Sequence, residues 1–233
     1  MPILLPALKK HAHADKAAFF PRFFKTGKGE YGEGDQFIGV TVPEMRSVAK
    51  EFAHLTLEEI AEALNSPIHE ERLTALLILV KKYEKATEEK TRKKIVDFYF
   101  AHVHRVNNWD LVDLTAPKIV GDYFIEKEKK KLYDFAASPN LWKRRIAIVA
   151  TYAFIRKGKL EDTFRLSELL LNDKQDLMHK ACGWMLREAG KKDVKALETF
   201  LKKHHSHMPR TMLRYAIEKF PEVQRKAYLK GTV

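Results

Sequence analysis

Apolar positions recur along this chain with helical spacing almost throughout. Leu73, Leu76, Leu77 and Val80 fall at i, i+3, i+4 and i+7, and Ile146, Val149, Ala150 and Ala153 repeat the pattern, so each segment turns one apolar stripe toward a partner. Helix-start signals sit between the stripes. Thr56 with Glu59 has capping-box spacing, and Ser66-Pro67 and Ser138-Pro139 set proline near a helix start, where its missing N–H leaves nothing unsatisfied. About a dozen helical segments joined by short polar links, roughly one pair per 35 to 40 residues, suit HEAT-like arrays. No βαβ alternation competes with them. The pattern predicts an all-α fold: an α-solenoid of tandem HEAT-like helical pairs with a concave face, forming a single domain over residues 1–233.

One segment breaks the pattern. Residues 25–39 (KTGKGEYGEGDQFIG) hold five of the ten glycines and read as a loop. Gly27, Gly29 and Gly32 match a dinucleotide-binding string, but they follow helical-looking sequence rather than a strand and open no βαβ unit. No Gly-Lys-Ser/Thr completes a phosphate-binding loop. Two readings stay open for the segment: a mobile loop near a ligand, or a connection.

Composition narrows the classes. The 233 residues are 45% hydrophobic and 32% charged, a globular balance, and a chain of this length buries roughly 70% of its extended surface without disulfides. A single cysteine, Cys182, predicts a reducing compartment, and the N-terminus lacks the basic-then-apolar order of a signal peptide, so the expected location is cytoplasmic. No apolar run reaches the roughly 18 residues of a membrane span. The net charge is +12, which attracts polyanions. Residues 1–100 carry 16 basic and 15 acidic side chains, whereas residues 101–233 carry 27 and 16, so the second half holds the electrostatic footprint.

Metal and thiol chemistry have little support. His11/His13, His102/His104 and His204/His205/His207 form no recognisable ligand spacing, which predicts surface histidines and no metal. Cys182, on an apolar helical stretch, reads as an inert buried thiol.

The informative stretches are residues 107–121 (NNWDLVDLTAPKIVG), 141–148 (LWKRRIAI) and 179–188 (HKACGWMLRE). A helix would bring Trp109 and Asp113 to one side, with Val112, Ala116 and Ile119 as the buried stripe beside them. Trp142 with Arg145, and Trp184 with Arg187, are pairs at spacing three. Each Trp also has a core reading, since Trp184 continues the stripe of Leu177, Ala181 and Met185, and Asp110 suits a helix N-terminus. Three such pairs in the basic half, one with a carboxylate, favour a site.

These residues resemble a known family. WDLVD, WKRRIAI, KACGWMLRE and the earlier FIGVTVP are similar to the AlkD-type DNA alkylation-repair glycosylases, HEAT-like repeat proteins that remove alkylated purines from DNA, and the likeness runs over residues 23–215. The resemblance implies Asp113 as the catalytic carboxylate and Trp109 and Trp184 as aromatic walls against the lesion's sugar and backbone. It implies Arg145 and Arg187 as phosphate contacts, and the charge of the second half adds Lys143, Arg144, Lys180, Arg210 and Arg214 as further candidates. Phe23 stands where the family can have a cleft-lining Tyr, and Asn108 where a second Trp can occur. The implied partner is double-stranded DNA carrying alkylated bases, bound by a monomer on a basic face, with no membrane and no cofactor.

The implied chemistry is simple. An N3- or N7-alkylated purine is cationic and already a good leaving group, so one carboxylate beside the sugar can stabilise the oxocarbenium-like charge and orient water, while indole faces attract the same cation. Two other readings share the scaffold: a non-catalytic repeat protein that binds damaged or branched DNA, and a basic scaffold for an acidic protein partner.

Overall fold

The structure is a computed structural model, and it describes residues 3–233. Among these residues there is no strand, only an isolated bridge between Gln36 and Ile68. The all-helical expectation holds. The chain divides into two compact units, Met1–Thr115 and Ala116–Val233.

The first unit contains α1 (Leu5–Lys9), α2 (Ala14–Phe23), α3 (Val42–Glu51), α4 (Leu57–Leu64), α5 (His69–Lys85), α6 (Glu89–Ala101) and α7 (Trp109–Asp113). Thr56 caps α4 as its spacing predicts: the Glu59 N–H donates to Thr56 Oγ1 at 3.2 Å and the Thr56 N–H to Glu59 Oε2 at 2.7 Å. A second box, Thr41 with Glu44, starts α3. Helix α5 departs from the one-stripe expectation. Every residue from His69 to Val80 is buried, because α1, α3, α4, α6 and α7 all pack around it. The core stripe therefore lies on a stretch of helix enclosed on all sides from His69 to Val80, and the charged run His69-Glu70-Glu71-Arg72 at its start is enclosed with it. Buried charges need partners, and these residues organise the site described below.

The second unit contains a π-helical turn (Pro117–Gly121), α8 (Asp122–Phe124), α9 (Lys130–Ala136), α10 (Leu141–Arg156), α11 (Glu161–Leu169), α12 (Asp176–Lys192), α13 (Val194–His204), α14 (Arg210–Ala216) and α15 (Glu222–Lys230). Its centre is α10, continuously buried from Arg145 to Thr151 between the π-turn, α9, α11 and α12. Helices α12 and α14 cross closely. A Cβ on Gly183 would sit 2.5 Å from Tyr215 Cβ and 2.6 Å from the Met212 carbonyl, so the crossing requires glycine there. The predicted stripe Val112, Ala116 and Ile119 is fully buried, as is Cys182, whose thiol burial pushes up from its ordinary value. No helix of the described residues is long and apolar enough to cross a membrane.

Candidate functional site

Helix α7 is short and its start is fixed by side chains. Asn108 is extended and its Oδ1 accepts the Trp109 N–H at 2.8 Å, while Asp110 Oδ1 accepts the Leu111 N–H at 2.9 Å. Residues four apart on such a turn share a side. Trp109 and Asp113 accordingly border one cleft of about 390 Å³ in the first unit, and Phe23 of α2 borders it too.

The walls are aromatic. Phe24 stacks on Trp109 at 5.2 Å and 13° and on Phe37 at 4.9 Å and 18°, and Phe23 meets Trp109 edge-on at 5.7 Å. The ring of Phe23 is 49% exposed, so it forms part of the rim. Asp113, Asp110, Glu70 and Lys16 also line this apolar cleft. Asp113 also lies close enough to Tyr99 to raise its pKa further, although burial of that phenol is the larger cause.

Behind the walls sits a network that sequence reasoning missed. His69 is 1% exposed, and its Nδ1 and Nε2 lie 2.9 Å from Asp35 Oδ2 and 2.8 Å from Asp110 Oδ2. Arg72 donates to Asp35 Oδ1 at 2.6 Å and to the Ser66 carbonyl at 3.0 Å. Burial alone would push the His69 pKa down, but the charges and hydrogen bonds of Asp110 and Asp35 outweigh it and raise it to about 9. Burial would likewise raise Asp35, and the bonds and charges of His69 and Arg72 bring it below the usual carboxylate range. Glu70 takes the N–H groups of Ile38, Gly39 and Val40 on one oxygen, at 3.1, 2.8 and 3.3 Å, and burial pushes its carboxyl up. Gly39 has φ +85°, and a Cβ there would lie 2.1 Å from the His13 carbonyl, so glycine lets the chain pass α2 at this point.

The glycine-rich segment is thus tied down at its C-terminal end. Gln36 donates to the Pro67 carbonyl at 3.1 Å and accepts from the His69 N–H at 2.8 Å. The available sequence signal was register. His69 and Arg72 continue the stripe of Leu73, Leu76 and Val80 one turn earlier, a polar pair where the pattern demands burial.

In the second unit the expected phosphate contacts are differently disposed. Arg145 is only 5% exposed and donates to the Leu177 carbonyl at 2.6 Å, so its guanidinium faces protein rather than solvent. Arg144 bridges Asp173 at 2.6 Å and the Ser138 and Pro139 carbonyls. Arg187 pairs with Glu218 and, at 3.2 Å, with Glu188. Lys143 lies over the Phe135 ring at 5.7 Å, and the half-exposed Lys180 pairs with Asp176 at 2.7 Å. Trp184 is half-buried, tilted against Tyr152 at 5.9 Å, and Trp142 is 8% exposed. His204, expected at the surface with its neighbours, is instead 4% exposed and packs on Phe200 at 4.6 Å.

Comparison with known proteins places this architecture. The family model described as DNA alkylation repair enzyme matches residues 4–220, nearly the whole chain. The chain belongs to the DNA alkylation repair enzyme family. Among solved structures, a predicted DNA alkylation repair enzyme from Enterococcus faecalis superposes with a TM-score of 0.71 at 17% identity, covering 91% of this chain and 98% of that one. That likeness supports the fold. No curated protein matches the chain. Within this family member the first-unit cleft brings together an indole, a carboxylate and the exposed Phe23.

Proposed function

We propose that this protein is a monofunctional DNA glycosylase that hydrolyses the N-glycosidic bond of cationic N3- and N7-alkylated purines in double-stranded DNA. The observation that carries the reading is the placement of Trp109 and Asp113 on one aromatic-walled cleft. As the bond to an alkylated purine breaks, the base leaves as a neutral molecule and positive charge builds on the sugar. A carboxylate beside that sugar stabilises the charge and orients the attacking water. The indole face of Trp109 and the ring of Phe23 attract the same cation through their quadrupoles. A base that already carries positive charge needs no acid to help it leave, so one carboxylate is sufficient.

DNA attraction falls to the second unit. On this reading Lys143, Lys180 and Arg187 contact phosphates, exchanging or sharing their present partners, and Trp184 offers an aromatic surface to the backbone. Arg144 and Arg145 act mainly by holding α10 to its neighbours, because their guanidinium groups are already bonded to a carboxylate and to main-chain carbonyls. The protein acts as a monomer, without a cofactor.

The test is release of 7-methylguanine from methylated duplex DNA. Wild type releases it, Asp113→Asn does not, and the neutral lesion hypoxanthine stays in place with both. Equal release of hypoxanthine would contradict the cation-based selectivity. Failure of wild type to release any base while binding DNA would favour a damage-binding protein instead.

A further inference from the structure

The proposed glycosylase reading gives no role to the glycine-rich segment or to the buried histidine behind the cleft. We infer that His69 is the positioning residue of this site: held as an imidazolium between Asp35 and Asp110, it latches segment 25–39 onto the start of α7 and so sets Trp109 and Asp113. The inference rests on the reading of the cleft as the reacting site, and it deepens that reading by adding a control on it.

Geometry carries the argument. Both ring nitrogens lie within hydrogen-bond distance of a carboxylate oxygen, at 2.9 and 2.8 Å. Ionised carboxylates only accept, so both nitrogens must donate, and an imidazole that donates twice is the cation. The side chains are nearly sealed from water, at 1% for His69, 4% for Asp35 and 7% for Asp110. The ring lies against Phe37 at 4.7 Å and Phe24 at 4.9 Å, and Phe24 is the ring that stacks on Trp109. His69 therefore touches the site in two ways. It pins Asp110 one residue from Trp109, and it backs the aromatic wall.

Every charge around it has a source. Asp35 approaches from the glycine-rich segment and Asp110 from α7, while Glu70 and Arg72 flank it on α5 itself. Arg105, from the turn after α6, donates to the Leu64 and Ser66 carbonyls and feels both Arg72 and Asp35. Lys16 of α2 and Asp113 line the same cleft. A neutral imidazole has one N–H, so loss of the proton strands one buried carboxylate contact and frees either the loop or α7.

The pH direction follows. With the His69 pKa raised from 6.5 to about 9, the latch is complete below pH 6.5 and is lost as pH rises through about 9.

Two readouts independent of base release test this on the full-length protein. The first is nitrogen NMR of the His69 ring, assigned by difference against His69→Gln. The second is hydrogen exchange of segment 25–39, corrected for intrinsic rate, from pH 6.5 to 10. Both ring nitrogens should be protonated at pH 7.5, and protection of the segment should fall with a midpoint near 9. In the isosteric variant Asp35→Asn, the midpoint should move down by at least one pH unit. His69→Gln should show low protection at every pH and at least tenfold slower 7-methylguanine release, with DNA affinity within twofold of wild type. A ring carrying one proton at pH 7.5, or a segment whose protection has the same pH profile in wild type and Asp35→Asn, would overturn the latch. A wild type that shows the latch but releases no base would refute the glycosylase reading and leave the latch standing as a structural device. Base release with a pH-independent segment would do the reverse.

Discussion

The two units of this protein differ most in charge. The first, residues 1–115, carries 17 basic and 17 acidic side chains, whereas the second, residues 116–233, carries 26 basic and 14 acidic, so the whole net charge of +12 belongs to the second. Yet the cleft with Trp109 and Asp113 is built in the neutral unit. The lesson is a division of labour. On the proposed function, a carboxylate that stabilises a developing cation gains nothing from a basic field, which would compete with the sugar for its charge, while the polyanion would be captured by the basic surface of the other unit. Chemistry and capture should then separate under mutation.

The largest effect should come from breaking the buried network of the first unit. Arg72→Met leaves Asp35 with its charge buried and one partner fewer, and should cost about 3–5 kcal/mol in urea denaturation, with loss of base release following from the disturbed segment. A loss under 1 kcal/mol would mean that the network does not hold the unit together. Next comes Trp109→Ala. It removes the ring stacked on Phe24, and base release should fall at least tenfold while DNA affinity changes much less. Gly183→Ala is the matching perturbation in the second unit. Its methyl must push Tyr215 and the Met212 carbonyl aside, so stability should drop by about 1–3 kcal/mol. Unchanged melting of that variant would show that the α12–α14 crossing relaxes freely. The smallest effects belong to single surface cations. Lys143→Ala and Lys180→Ala should each lower DNA affinity a few-fold and reduce the salt slope by about one, with the rate at saturating enzyme unchanged.

Stability should also depend on pH in a defined direction. His69 has a folded-state pKa raised from 6.5 to about 9, so its contribution is full below 6.5 and declines as pH rises through about 9. Thermal melting from pH 6 to 10 checks this, and Asp35→Asn should flatten the decline.

Much of the fold was legible because it is local. The stripes at Leu73 to Val80 and Ile146 to Ala153 need only the helical period, the cap at Thr56 needs only four residues, and the glycines of 25–39 mark the one long break in periodicity. What sequence concealed is how completely α5 and α10 are wrapped, since one stripe is visible in a pattern but several packing neighbours are not. The site was half legible. Trp109 and Asp113 announce themselves through spacing within one turn. The His69 network joins residues 34 and 41 positions apart, and a run of four charged or polar residues after Ser-Pro reads as a solvated helix start until its burial is seen. Arg145 is the converse case. A motif arginine in a basic half suggests phosphate, but its position in the buried register of α10 turns the guanidinium to the Leu177 carbonyl.

The central claim is that hydrolysis depends on Asp113 while capture of DNA does not. The most direct measurement places wild type and Asp113→Asn side by side, with single-turnover release of 7-methylguanine and duplex affinity both followed across salt concentration. Release should fall at least a hundredfold in the variant, with an affinity and a salt slope indistinguishable from wild type. Undiminished release by Asp113→Asn would contradict it.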